Sequence, residues 1–249
     1  MNANTATPGH FPRIRIVMVE TSHPGNIGAA ARAMKNMALE RLYLVNPVLF
    51  PHREAVSRSS GAEDLLERAV ICDTLAEALE GCSLVFGASA RSQRTIPWPQ
   101  VDVRGCAAIA AERGGEGEVA VLFGREDSGL SNEELELCNY LVHIPTNPNY
   151  SSLNVAAAIQ VVAYELYMAR IGGWQGTPSN KADLPASADE VEGFFQHLQQ
   201  TLVAIDFLDP DNPRQLMRRL RRLFNRVELE KVEVNILRGI LTSVNKLLK

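Results

Sequence analysis

From residue 14 to residue 171 the chain alternates short, β-branched apolar runs with stretches in which apolar residues recur every three to four positions. IRIVMV at 14–19 is a short, β-branched run, apolar but for Arg15, with the look of a buried parallel strand. Runs at 41–46, 69–72, 84–87, 119–123 and 140–144 repeat that signal and bring the expected strands to about six. Helical periodicity covers 26–39 and 132–138. TLAEALEGC at 74–82 carries a Thr74/Glu77 capping box and Gly81 as a stop signal. Strands alternating with helices predict an α/β fold built on an open parallel sheet covered on both faces.

The longest helical stretch of this part, 152–171, is apolar on most sides, with Val155, Ile159, Val162, Leu166 and Ala169 at helical spacing. Such a helix is expected to be buried against the sheet or against a partner subunit. The next segment is rich in Gly, Pro, Ser and Asp, has no periodicity, and reads as a linker. Three helices follow at 189–205, 213–225 and 232–248. The boundaries are therefore a domain over 1–172, a linker over 173–188 and a small helical module over 189–249.

Composition narrows the class. A hydrophobic content of 46% supports an ordinary core. Cys72, Cys82, Cys106 and Cys138 are scattered, with no CxxC and no histidine at metal-ligand spacing, so they read as buried thiols in a reducing compartment and no metal is expected. The first dozen residues lack the charged and apolar regions of a signal peptide, and no apolar run approaches the ~20 residues needed to cross a bilayer, so no membrane association and a cytoplasmic location are expected. The net charge of −4 conceals an asymmetry: from Arg214 to Lys249 ten Lys or Arg face three acids, so this tail carries +7 and the rest −11. Arg214, Arg218, Arg219, Arg221, Arg222 and Arg226 have no acid among them. With Leu216, Leu220, Leu223 and Phe224 on the other face, this helix is expected to dock while presenting its guanidinium groups outward, which suits a phosphate backbone.

Candidate chemistry lies at strand ends. The first strand is followed by ETSHPGNIGAAARAMK, where Gly25 and Gly28 are spaced GxxG and the second strand ends in Asn46 rather than an acid, which speaks against a dinucleotide site. Asn26 reads as an N-cap. Arg32 lies among Ala29, Ala30, Ala31 and Ala33, where a fixed charge needs a partner or a task. The third loop, GASARSQRTIPWP at 87–99, lacks the last glycine of a nucleophile elbow, so a serine hydrolase is a poor reading. LFGREDSGL places Glu126 directly after a strand-end glycine, Gly124, and NPNYSSLN leads into the long helix. Two such loops at strand ends make a ligand cleft in an open sheet. No histidine is assigned to catalysis, and His143 is expected to be a strand residue with a satisfied hydrogen bond. A dinucleotide-dependent oxidoreductase and a catalytically silent RNA-binding protein are the rival classes.

NxGxxxR at 26–32, LFGREDSGL at 122–130 and IPTNPNYSSLNVAAA at 144–158, in this order, resemble the three motifs of SPOUT-class, TrmH-like RNA 2′-O-ribose methyltransferases. YLVNP, SARS, LRRLF and NILRGIL fit its bacterial tRNA-modifying members, so the likeness covers nearly the whole chain. The resemblance implies a trefoil knot at the end of the catalytic domain, a homodimer, and S-adenosyl-L-methionine as cofactor. It implies methyl transfer to the ribose 2′-OH of nucleotide 32 in the tRNA anticodon loop, with another tRNA or rRNA position as the alternative. By position, cofactor contacts fall at Ala88, Ser89, Ala90, Gly124, Ile144, Ser151, Ser152 and Leu153. Ala88 stands where a threonine is expected, which leaves a backbone contact there. Arg32 takes the catalytic role, Glu126 and Asn154 position it or the RNA, and Arg218, Arg219, Arg221 and Arg222 contact RNA.

Overall fold

The computed structural model describes residues 13–90, 98–113, 117–172 and 184–248. Seven strands form one sheet in which every pairing is parallel: β1 (Ile14–Val19), β2 (Arg41–Val45), β3 (Val70–Cys72), β4 (Cys82–Ala88), β5 (Gln100–Asp102), β6 (Glu118–Phe123) and β7 (Tyr140–His143). Their order is β3-β2-β1-β6-β4-β7-β5. The six expected strands are present. The seventh, β5, is a three-residue edge strand with a polar residue on each side of Val101, too short to register as alternation.

Each strand side chain alternates faces, and both faces are covered. Ile16, Met18, Leu44, Phe86, Val121 and Phe123 pack with α1 (Pro24–Asn36), α5 (Val103–Arg113) and α7 (Val155–Ile171). Val17, Val19, Val45, Val85, Leu122 and Leu141 fill the other face with Trp98 and Leu135. Two short helices, α2 (Arg53–Ser59) and α3 (Glu63–Glu67), follow β2 and were not legible as periodic segments. α4 (Leu75–Leu79) is capped by the Thr74 hydroxyl, which accepts from the Glu77 N–H at 3.2 Å. The Glu77 carboxylate accepts in return from the N–H of Asp73, one residue earlier than a capping box requires. Gly81 takes φ +74°, as a stop signal should.

The polar residue inside the first apolar run is accounted for. Arg15 is buried, with its guanidinium donating to Glu118 at 2.6 Å and to the Ala78 carbonyl at 2.9 Å, and lying 4.8 Å from the Tyr43 ring centre. Arg41 pairs with the same carboxylate. Burial pushes the Glu118 carboxyl up, but the two guanidinium groups prevail and hold it below its ordinary value. All four cysteines are buried and none forms a disulfide, and burial raises the Cys82 thiol to about 11.

Between α5 and α7 lies α6 (Asn132–Leu135), shorter than expected, opened by a Ser131/Glu134 capping box. The last three helices are α8 (Ala188–Ala204), α9 (Leu216–Val227) and α10 (Lys231–Leu247). They have a small core of their own around Phe194, Phe195, Leu229 and Val234, with Phe224 edge-on to Phe194 at 5.0 Å. No helix among the described residues is long and apolar enough to cross a membrane. The N-terminal dozen, Arg91 and Arg94 of the third loop, and most of the expected linker lie outside the described residues.

Candidate active site

β6 lies between β1 and β4, so the carboxyl ends of β1, β6, β4 and β7 converge and their four loops share one rim. This is where an open α/β sheet offers a ligand crevice. The β6 loop shapes it. A Cβ on Gly124 would lie 2.1 Å from the carbonyl carbon of Gly129, so only glycine lets the loop fold back on its own strand. Arg125 and Gly129 exchange backbone hydrogen bonds at 3.2 and 2.9 Å, with Gly129 at φ +72°. The Arg125 guanidinium locks this turn: it donates to both Glu134 oxygens, at 3.0 and 2.9 Å, and to Glu20 at 2.8 Å. A paired fork of this kind fixes orientation as well as charge.

With Arg125 turned aside, Glu126 faces the start of α1. Its carboxylate accepts from the Ser22 N–H at 3.1 Å, the Ser22 hydroxyl at 3.0 Å, the His23 N–H at 3.3 Å and the Asn26 amide at 2.9 Å. Burial alone would raise its pKa, yet these donors carry it down to about 2. The Asn26 side chain continues the chain by accepting from the Asn154 amide at 2.9 Å, while the Asn154 side-chain oxygen caps α7 by accepting from the Ala156 N–H at 2.9 Å. Glu126, Asn26 and Asn154 thus tie the β6 loop to the N-termini of α1 and α7.

One cavity runs along this rim, and Ala88, Ser89, Ala90, Gly124, Ile144, Ser151, Ser152 and Leu153 all line it, together with Arg125, Glu126 and Leu130. The Ser89 N–H donates to the Val142 carbonyl at 3.0 Å, which carries the β4–β7 ladder up to the cavity edge. α7 starts at Val155 rather than 152, because the cap falls on Asn154 and leaves Ser151, Ser152 and Leu153 as extended loop beside the cavity.

Three expectations are corrected. Asn26 is not an N-cap: α1 begins at Pro24 with His23 as its cap, since Pro is tolerated in the first turn and extends the helix backward. That places Asn26 a turn inside, where its amide joins Glu126 to Asn154. His143 lies in β7, but its buried Nδ1 has no hydrogen-bond partner among the described residues. The five arginines of α9 do not all face outward. Arg218 pairs with Glu136, Arg221 forks onto Glu192 at 2.5 and 2.9 Å above the Phe195 ring, and Leu223 is exposed. Arg219 is exposed, and Arg222 is half-buried with its Nε unpartnered among the described residues.

Arg32 lies exposed on α1, outside the buried face formed by Ala30, Ala31 and Ala33, and has no ion pair or hydrogen bond among the described residues. The structure therefore joins Glu126 to Asn154 and leaves Arg32 outside that network. Ser22, His23, Asn26 and Arg125 complete the array and were not singled out from the sequence as site residues. The NxG and GRE spacings were their signal, but nothing local says which of these polar groups meet. Gly28 serves packing: a Cβ there would lie 2.0 Å from the Ala55 carbonyl oxygen, so α1 and α2 can touch only at glycine.

Residues 13–164 match the family model for the SpoU rRNA methylase family, and residues 189–249 match that for the C-terminal domain of the tRNA methyltransferase TrmJ. The TrmJ tRNA (cytidine/uridine/adenosine-2′-O-)-methyltransferase of Pseudomonas aeruginosa is 54% identical over 244 residues, covering 94% of each chain. The Pectobacterium atrosepticum TrmJ is 50% identical over 234 residues, covering 94% of this chain and 97% of its own. The crystal structure of TrmJ from Z. mobilis ZM4 superposes with a TM-score of 0.82 at 32% identity, covering 93% of this chain and 98% of that one. The SpoU methyltransferase AviRb of Streptomyces viridochromogenes, solved in complex with the cofactor AdoMet, gives 0.51 at 25% identity over 64% of this chain and 61% of that one. The chain belongs to the SpoU methylase family, in its TrmJ branch, and is a methyltransferase.

Proposed function

We propose that this protein methylates tRNA in the cytoplasm, transferring a methyl group from S-adenosyl-L-methionine to the ribose 2′-OH of nucleotide 32 in the anticodon loop. The observation that carries this reading is the joining of the strand-end cavity to the Glu126–Asn26–Asn154 array. The activities of the relatives, tRNA 2′-O-methyl transfer to cytidine and uridine and, for the Pseudomonas aeruginosa protein, adenosine, supply the substrate class.

The residues present fit the cofactor. Gly124 and the small side chains of Ala88, Ser89, Ala90, Ser151 and Ser152 bring backbone groups to the cavity wall, where a nucleoside finds donors and acceptors. Ile144, Leu153 and Leu130 offer apolar surface, and Glu126 offers negative charge to a sulfonium. S-adenosyl-L-methionine supplies the electrophilic methyl group and leaves as a neutral thioether, so no acid is needed at the leaving side. What the chain must do is align the ribose and stabilise the alkoxide that develops on its oxygen. Arg32 takes that role as a hydrogen-bonding cation, since arginine keeps its proton under all ordinary conditions, and the 2′-OH proton passes to solvent water as the new O–C bond forms. Glu126 and Asn154 position Arg32 or the RNA, and Asn26, which links them, joins the positioning set.

This reading includes a homodimer and a trefoil knot at the end of the catalytic domain, by family. α7 presents Val161, Tyr164, Met168 and Ile171 as an exposed apolar stripe, which supports a subunit partner on that helix. Arg219, Arg222 and Arg226 are the α9 arginines left for RNA, whereas Arg218 and Arg221 contribute to the RNA contact only by exchanging a carboxylate for a phosphate. The test is ribose-methylation mapping of tRNA from a strain lacking the gene, with the purified protein added back. Loss and recovery at nucleotide 32 is expected. A methyl group lost elsewhere on tRNA, or on rRNA, would replace the assigned position.

A further inference from the structure

α9 and its C-cap meet the catalytic domain at a short segment, 133–140, which runs from α6 into the start of β7, and at Arg113 of α5. At its start, Arg218 pairs with Glu136 and approaches Glu133 at 3.8 Å. In the middle, the buried Asn225 amide donates to the Glu136 carbonyl at 2.9 Å. At its end, the carboxylate of Glu228 accepts from the Tyr140 hydroxyl and pairs with Arg113 of α5. Glu228 is the C-cap of α9 in the left-handed region, φ 54°, a conformation that costs free energy in a residue other than glycine. Its side chain is only 13% exposed.

The same segment is stitched to the cofactor-pocket strand. Asn139 and Val85 exchange hydrogen bonds at 2.8 Å, and the Tyr140 ring stacks on Phe86 at 5.7 Å. A Cβ on Gly87 would lie 2.8 Å from the Cys138 sulfur and 3.1 Å from Leu135. Gly87 immediately precedes Ala88, Ser89 and Ala90 on the cavity wall, and β7 runs from Tyr140 to the cavity end at Ile144. Few residues separate the α9 contact from the site, and all of them are packed.

We infer that segment 133–140 is the platform on which α9 docks, beside the contacts α8 makes with β4 and Gly81, and that Glu228 is a positioning residue, setting the basic helix at a fixed place relative to the cofactor pocket. The inference rests on the reading of α9 as an RNA contact. A rigid link raises the effective concentration of the target ribose at the site without adding a contact to it.

The test compares the full-length protein with its Glu228→Ala and Glu228→Gln variants. Docking is read first, without RNA, as hydrogen-exchange protection of amides 133–140. The alanine variant should lose protection there while amides of β1 and β6 keep theirs. KM for tRNA should then rise by about tenfold with kcat and cofactor affinity unchanged. Glu228→Gln, which keeps an acceptor for Tyr140, should recover part of both. Unchanged protection in the alanine variant overturns the platform. Lost protection with an unchanged KM overturns the positioning role. Loss of protection over the whole sheet, with kcat falling alongside KM, also overturns it, because Glu228 would then act only on stability. Failure of the wild type to methylate tRNA overturns the functional reading, while the exchange result still judges the docking.

Discussion

At the scale of single residues the site separates groups that are held from groups that are free. Glu126 is held by four donors and Arg32 by none among the described residues. If Arg32 stabilises the developing alkoxide, Arg32→Ala should lower single-turnover methyl transfer by about 10²- to 10³-fold and leave cofactor affinity intact. Methylation at the wild-type rate in that variant removes Arg32 from the chemistry. Glu126 makes a pH prediction whose sign is set by its depressed pKa. Its folded value of about 2 lies below the ordinary 4.5, so it stabilises the folded state fully above pH 4.5, and that contribution is lost as pH falls toward 2. Glu126→Gln should flatten the decline of the unfolding midpoint between those pH values, and parallel declines in the two proteins would contradict the assignment.

At the scale of elements, close approach of backbones decides more than side-chain chemistry. α1 must bring Asn26 to Glu126 while packing on α2, and Gly28 permits this because no Cβ fits under the Ala55 carbonyl. Gly28→Ala should push α1 away from α2 and cost about 1–3 kcal/mol in urea denaturation. The displaced Asn26 should also weaken methyl transfer. A variant of wild-type stability would mean the helices relax at no cost. The GxxG spacing after the first strand is thus a helix-crossing device.

At the scale of the whole molecule, a net charge of −4 is compatible with the proposed tRNA substrate because the charges are segregated and partly spent internally. Arg218 and Arg221 are neutralised by Glu136 and Glu192, so the α9 charge available to a phosphate backbone is smaller than the sequence count. Arg219→Ala should weaken tRNA binding at every sequence and reduce the slope of log affinity against log salt by about 1. Arg218→Ala should change that slope less, because its charge is already met. Equal slope changes would indicate that the ion pair opens when RNA binds.

The strand runs and their alternation with helices were legible because a parallel sheet buried on both faces demands continuous apolar segments, a demand each segment records by itself. The three polar loops were legible for the complementary reason: polar residues at strand ends have no core to enter. β5 left too short a trace, and α2 and α3 too few turns, to stand out from loop. The meeting of Glu126, Asn26 and Asn154 was beyond the sequence, since residues 100 and 128 positions apart become neighbours only when β6 inserts beside β1 and α7 returns over α1. So was the pairing of α9 arginines with Glu136 and Glu192. A run of arginines states how much charge a helix carries, whereas the direction each side chain takes is set by the carboxylates that tertiary packing brings within reach.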